Sequence, residues 1–317
     1  MERTVSMIAS MFHFDTDAAT MSLWLFGLMV ALGAGLSFWF FIFNARRNGL
    51  HAGLAPLAFF LGVPVSLLLS RLMFCLLDAS YTSITDLRNF FRLNDGGYAL
   101  FGVLIGITLT TALAALLLQQ RPSEALDALC PSLFLFLFFE RLGEGFIRDF
   151  GISRSLIYGT LKGTFLVQQD MDIYLRTWIF EAVIALILFV VILRIAALDI
   201  RPGYVFLKAC ILYGATQVLM ESLRYDSHLM FSFVGVQHVL SMVVLGIPVL
   251  ILAKRALKTK KGLAIAGFVL IPVVVGLLIF LEFQIDRTET NRYMLYGFYT
   301  LALAAPAVVG FLLAKKD

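Results

Sequence analysis

Charge is what this chain has least of for its length. Of 317 residues only 15% are charged, against 60% hydrophobic, and mean hydropathy stands at +0.90. Those proportions exclude an ordinary water-soluble domain, in which about 25% of residues are charged. Cysteine is also sparse. The three thiols, Cys75, Cys130 and Cys210, each fall within an apolar segment, which excludes a disulfide framework and predicts reduced, packed side chains. No soluble domain, low-complexity tract or internal repeat is visible along the chain. The stretch from Met1 to Met21 holds Asp15 and Asp17 and lacks a compact apolar core before a small-residue site, so no cleaved signal is expected there. It reads as a short amphipathic piece on a surface.

What the chain does have is apolar runs long enough to cross about 30 Å of hydrocarbon. They cover roughly 23–44, 54–77, 98–118, 128–139, 179–195, 204–223, 233–253, 263–283 and 294–313, and predict an all-α, polytopic membrane bundle of about nine helices. The connectors alternate in character. One set carries Arg46, Arg47, Arg121, Arg194, Arg201 and the run from Lys254 to Lys261; the other carries most of the acids, such as Asp78, Asp95, Asp149, Asp170 and Asp226. The positive-inside rule then puts the amino terminus outside and the carboxyl terminus in the cytoplasm. The same asymmetry accounts for the pI near 9.0 and the net charge of +4 with no nucleic acid as partner. On this topology the longest connector, about 140–178, lies on the outer face and reads as a small head or a loop-plus-short-helix element. The last two spans, within 255–317, read as a hairpin appended to a core of 1–254.

The exceptional stretch is FLFLFFERLGEGFIRDFG, Phe134 to Gly151. An apolar run that passes straight into Glu140, Arg141, Glu144, Arg148 and Asp149 is costly in a bilayer, so such charges pair, face a cavity or serve chemistry. Gly143 and Gly145 leave room for a backbone to approach a ligand. The guanidinium of Arg141 suits bidentate capture of a phosphate, and an ion pair with Glu144 or Glu140 is the plainer reading. Further charge lies at Arg71, Glu181, Glu221, Arg224 and His238. By topology these gather in the outer half of the bilayer, either as three ion pairs or as a polar cavity for an anionic lipid headgroup. Lys208 is expected to snorkel to headgroups. Gly102 and Gly106 form a helix-packing seam, whereas Gly96 and Gly97 form a turn that approaches the headgroup.

Taken in order, these stretches resemble the prolipoprotein diacylglyceryl transferases, membrane enzymes that move diacylglyceryl from phosphatidylglycerol to the lipobox cysteine of a lipoprotein precursor. The similarity covers roughly 23–252. LFGLMVALGAGLSFWF with ARRNGL resembles the family's W-Y-G-L-M span and basic loop, and Arg71 with Leu72 its Arg-Leu pair. GGYALFGVLIG resembles G-G-x-S-F-H-G-G-L-I-G, and ERLGEGFIRDFG resembles R-I-G-N-F-x-N-G-E. TWIFEAV, QVLMESLRYD and VGVQHVLSM resemble P-S-Q-L-Y-E-A, R-F-x-x-E-F-x-R-x-x-D and S-M-G-Q-x-L-S.

The resemblance implies a seven-helix transferase core, with Arg141, Glu144, Arg224 and His238 for catalysis. It implies Arg71, Gly96, Gly97, Gly143, Glu181 and Glu221 for substrate binding, with neither metal nor cofactor. Its implied partners are phosphatidylglycerol or another anionic phospholipid and a lipoprotein precursor, in the bacterial cytoplasmic membrane. Without a lipobox cysteine, the chain is not itself such a precursor. The chain departs from the pattern at Phe101, which falls on the family histidine, at Phe26 on a tyrosine, at Gln217 on an arginine and at Glu144 on an asparagine. A thiol of pKa about 8.5 must lose its proton before it attacks, and Phe101 cannot accept it. Glu144, Glu140, His238 or His228 would have to. Arginines can still stabilise the departing glycerol phosphate. The expectation is phosphatidylglycerol-dependent diacylglyceryl transfer, with a catalytically silent lipid-binding or partner-binding relative as the alternative. A transporter is the third reading, and the lack of inverted repeats counts against it.

Overall fold

The computed structural model describes residues 18–77, 90, 97–147, 151–153, 157–158, 165–169, 172–199, 201–224, 230–231, 234–287 and 292–315. Residues 1–17 of the amino-terminal surface piece, Gly96, Arg148, Asp149 and His228 lie outside the described residues, whereas residues 18–21 of that piece are already helical. Among the described residues there are nine helices: α1 (Ala18–Arg47), α2 (Leu54–Leu77), α3 (Leu100–Leu117), α4 (Pro122–Glu144), α5 (Thr177–Leu198), α6 (Tyr204–Leu223), α7 (Val236–Ala256), α8 (Lys261–Arg287) and α9 (Arg292–Ala314). Each apolar run is a helix, and α2 and α6 begin and end where the runs do. The largest difference is at α4, which starts at Pro122 and carries its helix through Glu140 and Arg141 to Glu144. Proline at a first turn needs no partner for the N–H it lacks, so the helix opens there rather than at the first apolar residue.

Seven of these helices, all except α4 and α6, are long and apolar enough to cross a membrane. Together they make a polytopic helical membrane protein. Trp24, Leu28 and Trp39 on α1 and Phe60 and Leu67 on α2 lie bare, as suits side chains that face hydrocarbon. The cysteines are free, as expected.

Between α4 and α5 the described residues form strands, which suits the small head of the two forms expected rather than a loop with a short helix. β1 (Ile157–Tyr158), β2 (Leu166–Gln169) and β3 (Asp172–Leu175) form an antiparallel sheet in the order β1-β3-β2. Leu166 pairs with Leu175 and Ile157 with Ile173. Leu-Val and Ile-Tyr-Leu favour a pleated, half-buried surface, and Ile173 is buried on it. A smaller hairpin, β4 (Met230–Phe231) with β5 (Val234–Gly235), precedes α7.

The chain divides into two compact units. The first holds residues 1–40, 132–187 and 224–226. Within it, α1 comes so close to α4 that a Cβ on Gly143 would lie 3.0 Å from Phe26 and 3.2 Å from Met29. The second unit holds the remaining residues. There α2 and α3 meet at Ser66 and Ser70, where a Cβ on Gly106 would lie 2.6 Å from the Ser66 Cα and one on Gly102 would strike the Ser70 backbone. Ser70 Oγ donates to the Ala99 carbonyl at 2.9 Å across that seam. Helices α6 to α9 share one apolar core that includes Ile211, Val218, Leu245, Val249, Leu281, Ile285 and Tyr299.

Candidate functional site

The first unit gathers its charge where α4 ends. Glu140 and Glu144, four residues apart, share a helical face, with Arg141 beside them. Glu181 comes from the start of α5. Arg224, the residue after α6, forms an isolated antiparallel bridge with Ser153. Ser153 is anchored in turn: its N–H donates to the Leu175 carbonyl at 2.8 Å, and its hydroxyl accepts from the Leu175 N–H at 2.8 Å. Gly151 has φ +64°, and a Cβ there would lie 2.8 Å from Trp178 and 3.3 Å from Glu144 Oε2. Only glycine suits that position.

The ionic groups form a closed ring. Arg141 Nε stands 2.8 Å from Glu181 Oε2 and 3.5 Å from Glu140 Oε2, and Arg141 Nη1 donates to Glu144 Oε1. Arg224 Nη1 is 2.9 Å from Glu181 Oε1 and 3.1 Å from Glu144 Oε2, with Nη2 3.5 Å from Glu144 Oε1. Glu144 and Glu181 therefore each bridge both guanidinium groups, and all five side chains are buried. Among the described residues, three carboxyls stand around these two guanidiniums. Among the described residues, Arg141 Nη2 and Glu140 Oε2 are buried without a hydrogen-bond partner. Such atoms cost free energy unless something pairs with them.

Of the charges that the sequence reads as either three ion pairs or a polar cavity, Arg141, Glu144, Glu181 and Arg224 join in this ring. Arg71, 1% exposed, donates from Nη1 to the Gly97 carbonyl at 3.1 Å and from Nε to the Phe90 carbonyl at 3.4 Å. Phe74 and Tyr98 flank its guanidinium. Gly97, at φ +74°, seats this arginine, since a Cβ there would lie 2.6 Å from Nη1. Glu221 accepts from Gln217 Nε2 at 2.9 Å. His238 Nε2 lies 2.7 Å from the Tyr299 hydroxyl, a partner the sequence reading missed. The only hint of it was a tyrosine in an apolar helix. The space beside Gly143 holds Phe26 and Met29, and that beside Gly145 holds Trp178, so these glycines serve packing. Phe101 is buried, its ring 6.4 Å from that of Tyr213. Lys208 Nζ lies 2.6 Å from Asp199 Oδ2.

Apolar helices that carry a buried arginine–glutamate ring at the end of one of them define a class: multi-pass membrane proteins that keep charge inside the fold. Residues 16–254 match the family model described as prolipoprotein diacylglyceryl transferase, and the chain belongs to that family. Relatives named phosphatidylglycerol–prolipoprotein diacylglyceryl transferase share its sequence at low identity. The protein from Bacillus licheniformis is 24% identical over 242 residues, 74% of this chain and 89% of the relative. That from Oceanobacillus iheyensis is 23% identical over 248 residues, 75% and 86% of the two chains. That from Listeria innocua is 25% identical over 202 residues, 62% and 72%.

Proposed function

We propose that this chain moves a diacylglyceryl group from phosphatidylglycerol to an acceptor thiol, such as the cysteine of a lipoprotein precursor, in the bacterial cytoplasmic membrane. The observation that carries the reading is the buried pair Arg141 and Arg224, with Arg141 Nη2 left unpartnered among the described residues. Two guanidiniums fixed by Glu181 are pre-positioned to receive the negative charge that grows on a departing glycerol phosphate. Membership of the family and the names of the relatives support it. Arg46, Arg121, Arg194 and Lys254, at the ends of α1, α4, α5 and α7, support an orientation with the amino terminus outside. Purified protein given labelled phosphatidylglycerol and a lipobox peptide is expected to yield a thioether product and free glycerol phosphate. Absence of both overturns the reading.

Phe101 favours a second reading, in which the chain holds lipid and transfers nothing. An apolar ring buried where the family resemblance places a histidine cannot accept a proton. This reading expects phosphatidylglycerol to co-purify and to be lost in Arg141→Ala, with no turnover in the peptide assay.

A further inference from the structure

The proposed reaction needs an acceptor for the thiol proton, and the ring contains a carboxylate that can be released to supply it. Glu144 spans both guanidiniums with its two oxygens, the coordination a phosphodiester takes with two oxygens on one centre. A phosphate that takes both guanidiniums must displace a carboxylate that already spans them. Glu181 holds the two arginines at 2.8 and 2.9 Å, whereas Glu144 is held closely by Arg141 and reaches Arg224 only at 3.1 and 3.5 Å, so its hold on Arg224 is the looser. Glu144 also borders Gly151, where no side chain blocks its Oε2. Beside it, Nη2 of Arg141, without a hydrogen-bond partner among the described residues, offers an incoming phosphate oxygen its first hydrogen bond.

We infer that Glu144 is a displaceable counter-anion: the lipid phosphate takes its place on Arg141 and Arg224, and the freed carboxylate then accepts the thiol proton. The inference rests on the transferase reading above. In the step, the S–H proton passes to Glu144 and the sulfur electron pair forms a bond to the glyceryl carbon. The carbon–oxygen bond to phosphate breaks, and its pair leaves on glycerol phosphate, whose charge the arginines hold.

The test separates binding from turnover. In nanodiscs of phosphatidylcholine doped with phosphatidylglycerol, Glu144→Gln is expected to bind the anionic lipid about tenfold more tightly, the size of one released charge-assisted interaction. Transfer to a lipobox peptide by the same variant falls by at least about a hundredfold, the scale of a lost general base. A purely structural role for Glu144 would weaken both. Soluble glycerol phosphate as competitor tells headgroup capture from capture of any phosphate. Glu144→Asn serves as a second variant. On the wild-type protein, an infrared carboxylate shift on addition of phosphatidylglycerol, but not phosphatidylcholine, reads the displacement without mutation. Unchanged or weaker lipid binding in both variants, or no such shift, overturns the inference. Tighter binding by Glu144→Gln with an inactive wild type would instead sink the transfer chemistry and leave the displacement standing.

Discussion

Arg141 and Arg224 hold each other's partners, and that sharing sets what a single substitution does. Arg141→Ala leaves Glu144 and Glu181 buried with one guanidinium between them. Stranding a buried charge in this way costs about 3–5 kcal/mol, so the variant should melt well below the wild type in detergent. Adding Glu181→Gln to Arg141→Ala should restore part of that loss, because residues in one network are not additive. A different cluster sets acid sensitivity. Burial acts to raise the pKa of Asp199, but hydrogen bonds from Arg201 and Lys208 outweigh it and hold the carboxyl well below the usual carboxylate range. A depressed folded value means the stabilisation is complete above the unfolded pKa of about 3.9 and is lost as pH falls below it. Melting curves of wild type and Asp199→Asn should differ at pH 6 and converge at the acid end.

Among the elements, the contact of α2 with α3 is the least tolerant. Gly106→Val would put a side chain on the Ser66 backbone, which cannot swing aside as a flexible side chain can. Overpacking of this kind costs about 1–3 kcal/mol, to be read as lower thermal stability. This seam was legible in the sequence, because small residues four apart in an apolar run have few other uses. The helices were legible too, since apolar length in a membrane chain permits little else. The sheet between α4 and α5 was not. Its strands are short, and Ile173 earns its burial only from partners distant in the chain. In the same way, the sequence announced Arg141, Glu181 and Arg224 as buried charge but not that two acids would each serve both arginines. That depends on Arg224 pairing with Ser153, nine residues beyond the end of α4 at Glu144 and invisible to any periodicity.

For the whole molecule, the proposed orientation predicts that a reporter fused after residue 315 is active only in the cytoplasm, whereas one fused ahead of α1 is active only outside. A reversed result would move the Arg141 ring to the inner leaflet, away from the side on which lipoprotein precursors emerge in the proposed scheme. Helices α8 and α9 lie beyond the residues matched by the family, yet they are not loosely attached. Leu281, Ile285 and Tyr299 belong to the same core as Ile211 and Leu245, and Tyr296 donates to the Ser222 carbonyl at 3.1 Å. Truncation after residue 256 should therefore give protein that aggregates or is degraded, rather than a lighter, stable core.

That shared core also orders the birth of the protein. While the ribosome is still adding α8, the faces of α6 and α7 that await Leu281 and Tyr299 stand uncovered in the bilayer, and His238 has no phenol to meet. Closure of that half of the molecule is thus a late event, timed by insertion of the ninth helix. A nascent chain stalled before it would be the form that membrane proteases recognise.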